Sequence, residues 1–368
     1  MKRIFALLLA LAMVFTLVAC GEKEEAKAEA MAVAMITDYG DITDQSFNQT
    51  TYEACKEYCE ANSLKFNYFK PASDSDDDRI AMIEKAIDEG FNVIVTPGYA
   101  FANALKATAG DNADVKFIAI DVSAGDFGDD YTLPSNLYSA VYQEELCGYM
   151  AGYAAVKLGY TKLGYLGGMA VPSVVRFGYG FVQGADAAAA ETGAAVEINF
   201  AYGNQFFGDA DITAAMDTWY QAGTECVFAC GGGIFTSVAE AAAKVNGKVI
   251  GVDVDQAPII DAAYGEGMTV TSAMKGLTAT VNAKLQALLD GTFEGDKIET
   301  LGLVSENPEE NFVGIPMSTQ FADGFTADDY TALVAAMLKG ELTVNNDITI
   351  AAADNATVVT VNDLGNIK

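Results

Sequence analysis

One nine-residue pattern occurs twice in this chain, and it limits the fold more than any other feature. GFNVIVTPG runs from Gly90 to Gly98 and GTECVFACG from Gly223 to Gly231. Each leads through a helical stretch to an apolar run closed by an aspartate, Asp121 in the first copy and Asp253 in the second. From first glycine to aspartate the spacing is 31 residues in one copy and 30 in the other. Short apolar runs alternating with helical stretches are the trace that parallel βαβ units leave in a sequence. Strands are predicted at 31–37, 65–69, 92–96, 116–120, 162–166 and 195–200, with helices at 49–61, 79–88, 101–108, 144–158 and 178–191. The expected architecture is α/β, with two Rossmann-like lobes, each on a parallel sheet, joined by a hinge. Open α/β sheets bind ligands beyond the carboxyl ends of their strands. That edge carries Asp38, Gly98, Asp121, Gly168, Gly231 and Asp253, so the site is expected in a cleft between the lobes, with one carboxylate from each repeat.

Charge and composition narrow the chemistry. The 21 Lys and Arg against 51 Asp and Glu give −30, which repels phosphate backbones, so no nucleic acid is expected as a partner. The absence of His excludes His-based triads and His-containing zinc or haem sites. Gly231-Gly232-Gly233 lacks the spacing of a dinucleotide fingerprint and there is no Walker A lysine, so no cofactor is expected. Asp74, Asp76, Asp77 and Asp78 lack the spaced ligands and glycine of a calcium loop and read as an exposed acidic turn, leaving no metal site. Cys55, Cys59, Cys147, Cys226 and Cys230 are odd in number and lack knuckle spacing, which reads as buried small hydrophobes. Lys2 and Arg3 precede an apolar run at 4–18, shorter than a bilayer span, that ends in Leu17-Val18-Ala19-Cys20-Gly21. This reads as a signal peptide over 1–19 with a lipidated Cys20 and a polar tether over 20–30, holding the protein at the bilayer outside the cell.

The loop from Asp38 to Gln49 joins the first strand to the first helix. Asp44 or Ser46 can cap that helix, and Phe47 and Asn48 offer a stacking face and a donor–acceptor pair for a heterocycle edge. Asp38, Gly40, Ile42, Asp44, Ser46, Phe47, Asn48 and Gln49 match the opening motif of the basic membrane protein family of substrate-binding lipoproteins, whose second glycine is Asp41 here. Gly167-Gly168-Met169 with Phe177, Gly180-Phe181 with Gly184, Phe207-Gly208-Asp209, Gly231 to Gly233 with Phe235, Gly251 to Gln256 and Thr271 to Lys275 continue the resemblance over residues 31–345.

The resemblance implies a purine-nucleoside-receptor-like protein of the type I periplasmic binding fold, not an enzyme. It would deliver a nucleoside to an ABC permease and ATPase that are separate chains. It also implies the site roles: Phe47 and Phe207 sandwich the base, although Phe206 is one register step away. Asn48 and Asp121 bind the base edge, Asp253, Lys275, Gly231, Gly232 and Gly233 hold the sugar, and Asp38 is a further pocket position. The helix beginning near Lys275 is expected to return to the first lobe, so that Lys275 and Asp253 face the ligand from opposite sides. A ligand sensor of the same fold and a calcium-dependent nucleoside hydrolase are the competing readings. Lobe boundaries are expected at 31–137 plus 271–298 and at 138–270 plus 299–345, with 346–368 an unassigned tail.

Overall fold

The AVAMI run is apolar throughout because it lies in the middle of a sheet, where neither face of a strand meets water. It forms β1 (Ala32–Ile36), followed by α1 (Phe47–Ala61), β2 (Lys65–Phe69), α2 (Asp76–Asp88), β3 (Val93–Pro97), α3 (Ala102–Thr108), β4 (Lys116–Ile120), α4 (Ala124–Phe127) and β5 (Leu137–Tyr142). Then come α5 (Glu144–Lys157), β6 (Lys162–Gly167), α6 (Pro172–Thr192), β7 (Glu197–Tyr202), α7 (Ala210–Gln221), β8 (Cys226–Cys230), α8 (Phe235–Ala243), β9 (Lys248–Asp253), α9 (Ala257–Tyr264) and β10 (Thr269–Lys275). The chain ends through α10 (Leu277–Leu289), β11 (Lys297–Leu301), β12 (Val313–Gly314), α11 (Ala327–Leu338) and β13 (Thr360–Asn366). This computed structural model describes residues 30–38, 40–128 and 130–367. The expected signal peptide at 1–19, Cys20 and the tether as far as residue 29 lie outside them.

Two sheets result, ordered β11-β5-β4-β3-β1-β2 and β12-β10-β9-β8-β6-β7-β13. Every pairing is parallel except β10 with β12. Ile83, Phe101, Leu105 and Phe117 fill the core of the first lobe, and Met216, Trp219, Val227 and Phe235 that of the second. All five described cysteines are free and buried, as small hydrophobes would be.

The chain crosses between lobes later than expected at each boundary. β5, β10 and β11 run to completion in the sheet where they pair, so the crossings follow Tyr142, Lys275 and Leu301 rather than 137, 270 and 298. A strand leaves its sheet only after its ladder is satisfied, and here that happens at the carboxyl edge. Lys275 accordingly ends β10 in the second sheet, with Met274 opposite Asp253, so Lys275 and Asp253 stand in the same lobe rather than facing one another across the cleft. The three crossings lie side by side: the Gln143 N–H donates to Leu301 O, Phe312 N–H to Gly302 O, and Gly276 N–H to Phe312 O.

One further expectation is corrected, and the unassigned segment finds a place. Asp76, Asp77 and Asp78 are the first turn of α2 rather than a free turn, where their charge suits the helix N-terminus, and Arg79 pairs with Asp74 and Asp76. The unassigned tail forms β13, parallel to β7 at the sheet edge. Asp186 on α6 anchors its entry by accepting the backbone N–H groups of Thr357, Val358 and Val359.

Helices α5 and α6 pack backbone to backbone. A methyl group at Gly148 or Gly152 would strike the carbonyls of Phe177 and Phe181, and one at Gly180 or Gly184 those of Glu145 and Tyr149. This close approach needs glycine on both helices, and it sets Glu144 at the start of α5 against Arg176 in the first turns of α6.

Candidate ligand cleft

The carboxyl edges of the two sheets enclose a cavity of 430 Å³, within the roughly 300–1,000 Å³ range of small-molecule sites. From the first lobe its wall takes Asp38, Phe47, Asn48 and Asp121; from the second it takes Phe207, Gly231, Gly232, Gly233, Asp253 and Lys275. All ten positions singled out from the sequence are therefore brought to one cavity.

The loop before α1 divides its labour between Asp44 and Ser46. Asp44 does the capping, its carboxylate accepting the backbone N–H groups of Ser46, Asn48 and Gln49 and the Asn48 side-chain amide. Ser46 makes no side-chain cap, and its hydroxyl instead crosses the cleft to donate to Asp253 Oδ2 at 2.6 Å. A second crossing bond runs beside it, from Gln256 Nε2 to Gln45 O at 3.0 Å. With the Asn48 amide donated to Asp44, its Oδ1 is left buried without a partner. Asp38 Oδ1 accepts the Gly40 N–H at 2.7 Å, while burial pushes the Asp38 carboxyl up to about 6.

Lys275 anchors the floor. Its ammonium lies 2.5 Å from Asp121 Oδ2 and 3.0 Å from Glu144 Oε1, and Arg176 Nε holds the other Glu144 oxygen at 2.6 Å. The Phe47, Tyr142 and Phe177 rings surround the same ammonium, with centroids 5.2, 5.4 and 5.4 Å away. Burial alone would lower the Lys275 pKa, but Asp121 and Glu144 override it and hold the ammonium protonated above the usual lysine range. Burial opposes the Glu144 charge as well, and Lys275 with Arg176 together keep its carboxyl below the ordinary value. Asp121 Oδ1 remains buried and unpartnered.

Asp121 and Asp253 occupy equivalent places in the two repeats and share an unusual backbone, with φ of 62° and 67°. A non-glycine residue in the left-handed region is strained by roughly 1–2 kcal/mol. Both carboxylates are thereby turned off the ends of β4 and β9 into the cavity. Burial pushes the Asp253 carboxyl up to about 6 despite Lys275 and the Ser46 hydroxyl.

A family model described as ABC transporter substrate-binding protein PnrA-like, that of the Bmp family, matches residues 31–327. The chain belongs to the Bmp family. It is 28% identical over 326 residues to the ABC transporter nucleoside-binding protein BmpA of Lactococcus lactis subsp. cremoris, covering 82% of this chain and 89% of that protein. To Basic membrane protein D of Borreliella burgdorferi it is 27% identical over 308 residues, covering 80% and 85%. A solved ABC transporter solute-binding protein from Aeropyrum pernix K1 shares the fold with a TM-score of 0.64 at 21% identity, over 88% of this chain and 90% of that one. Another, from Conexibacter woesei, gives 0.65 at 22%, over 86% and 99%. The architecture is that of the type I periplasmic binding proteins. This Bmp-family chain is a substrate-binding protein of ABC transport, not an enzyme, and its family places it on the extracytoplasmic side of the membrane.

In the Bmp-family chain Phe206 and Phe207 both line the cleft, in different ways. The Phe206 ring lies over Gly168 and Gly231, whereas Phe207 is 49% exposed at the mouth. Sequence reading missed Glu144 and Arg176, because charges near helix starts usually face water. Glu144 is fully buried because Arg176 of α6 and Lys275 of β10 both close over it. The spaced glycines on both helices were the available signal.

Proposed function

We infer that this Bmp-family protein is a lipid-anchored receptor that captures a nucleoside between its lobes and hands it to an ABC importer. The observation that carries this reading is the pairing of an aromatic face, Phe47, with buried acceptors lacking partners, Asn48 Oδ1 and Asp121 Oδ1, in one cavity. A flat base stacks on an aromatic ring, and its N–H groups satisfy such acceptors. The base lies between Phe47 and the Phe206–Phe207 pair, with its edge at Asn48, Asp121 and the neighbouring Asp38. The sugar hydroxyls reach Asp253, Lys275 and the backbone of Gly231 to Gly233. One Asp253 oxygen accepts from Ser46, and the other is available to a hydroxyl. A relative that bears the name nucleoside-binding protein supports the ligand class.

The test is calorimetry of the purified full chain with guanosine, inosine, adenosine, uridine, cytidine and glucose. Heat from nucleosides but not glucose is expected; heat from glucose alone overturns the reading. Asp253→Asn is expected to weaken guanosine at least several-fold more than free guanine, and equal losses would withdraw Asp253 from the sugar. Anchoring rests on Cys20, and Cys20→Ala should abolish lipid labelling and leave precursor or released protein.

A further inference from the structure

The cleft rim carries an ion pair at the position where the motif of the resembling family has its second glycine. Asp41 Oδ2 lies 2.6 Å from Lys70 Nζ, and both side chains line the cavity while remaining about half exposed. Lys70 directly follows β2, and Asp38 follows β1 by one further residue. Those strands are paired, with Ile36 opposite Phe69 and the Thr37 N–H donating to Phe69 O. Neighbouring strands lie about 4.8 Å apart, so Lys70 and Asp38 leave adjacent strand ends and both reach the wall of the same cavity.

The two groups offer opposite chemistry. Asp38 and the unpartnered Asn48 Oδ1 are acceptors. An ammonium has three N–H groups, and Asp41 takes one from Lys70. The other cationic side chain among the described cavity-lining residues, Lys275, is already held by Asp121 and Glu144. A 6-oxopurine presents O6 and N7 acceptors beside its N1–H donor. Adenine keeps N7 but replaces O6 with an amino donor, and it has no N1–H.

We propose that Lys70, held over the cleft by Asp41, is a specificity-determining residue that selects 6-oxopurine nucleosides over adenosine. It donates to the O6 and N7 edge while Asp38 and Asn48 accept from N1–H. This rests on the nucleoside reading above and refines it. Adenosine keeps the N7 contact but places its amino group against the Lys70 ammonium and an acceptor nitrogen against the Asp38 carboxylate, two mismatches where guanosine or inosine makes two further bonds. Burial brings the Asp38 carboxyl near 6, so at pH 7.5 it is chiefly ionised and cannot donate to adenine N1. Asp41 fixes the ammonium in place, a task the glycine of the related motif cannot perform.

Calorimetry at pH 7.5 with guanosine, inosine, adenosine and 7-deazaguanosine on the full chain and on Lys70→Met, Lys70→Arg and Asp41→Gly is the test. Wild type is expected to bind guanosine and inosine at least about tenfold more tightly than adenosine. Lys70→Met should weaken guanosine about five- to tenfold and leave adenosine within about twofold, with Lys70→Arg recovering most of the loss. 7-Deazaguanosine should bind less tightly than guanosine to wild type and no less tightly than guanosine to Lys70→Met, and Asp41→Gly should shrink the preference for guanosine. Adenosine binding as tightly as guanosine to wild type overturns the assignment while leaving the nucleoside reading intact, and so does an equal loss for all nucleosides in Lys70→Met. Absence of heat with every nucleoside overturns both.

Discussion

The Ser46 hydroxyl and the Asp253 carboxylate meet across the cleft at 2.6 Å, joining the start of α1 in one lobe to the end of β9 in the other. Because Asp44 caps the helix, Ser46 is free for this contact, which exists only while the lobes are together. Ser46→Ala leaves a buried carboxylate oxygen without its donor, a cost of about 1–3 kcal/mol borne by the closed state alone. Expected results are weaker guanosine binding and a larger radius of gyration for the ligand-free protein by small-angle scattering. Unchanged affinity and unchanged dimensions would rule out a clasp.

Lys275→Met removes the one cation shared by Asp121 and Glu144. Arg176 still serves Glu144, but Asp121 is stranded. Loss of one partner of a buried pair costs about 3–5 kcal/mol, and urea denaturation should show a loss of that size. Adding Asp121→Asn removes the stranded charge and is expected to restore part of the lost stability, even though neither variant binds ligand well.

Asp38 is expected to be stabilised by substitution. Its carboxyl sits near 6 in the folded protein because of burial, against an ordinary 3.8. Between those values the folded state holds the extra proton, so stability falls as pH rises and the full cost is present above 6. Asp38→Asn should then stabilise the ligand-free protein at pH 7.5 by up to about 3 kcal/mol, seen as a higher melting temperature, with the gain closing as pH falls toward 4. The same variant should bind guanosine less well. A gain that persists at pH 4 would locate its origin in packing.

Stacking is tested by comparing three rings. Phe47→Ala is expected to cost about 1–3 kcal/mol in nucleoside binding, the scale of base–aromatic stacking. Phe206, resting on Gly168 and Gly231, and Phe207, half exposed at the mouth, compete for the opposite face. Calorimetry on Phe206→Ala and Phe207→Ala decides which ring serves, since only the stacking ring should show a loss comparable to Phe47→Ala.

The sequence discloses this fold where local pattern and tertiary place agree. Gly90 to Gly98 and Gly223 to Gly231 become β3 and β8, and the aspartates that follow them reach matching backbone angles in the cleft. Residues 360–366 are legible only in context. TVNDLGN has no apolar alternation, and it is a strand because β7 offers an open edge and Asp186 fixes its approach. The lobe boundaries were displaced because hydrophobicity marks where a strand lies and not which of two similar sheets it joins. Glu144 was hidden for a related reason: Arg176 of α6 and Lys275 at the end of β10, both distant from it in sequence, decide whether that carboxylate is wet.

Three connections laid side by side, at Gln143, Gly276 and Gly302, are bonded to one another through Leu301 and Phe312 and form a single strip of backbone. Any change in the angle between the lobes has to be absorbed within that strip, because no other backbone among the described residues joins them. A membrane partner that touches both lobes needs only to gauge that angle to distinguish a loaded receptor from an empty one.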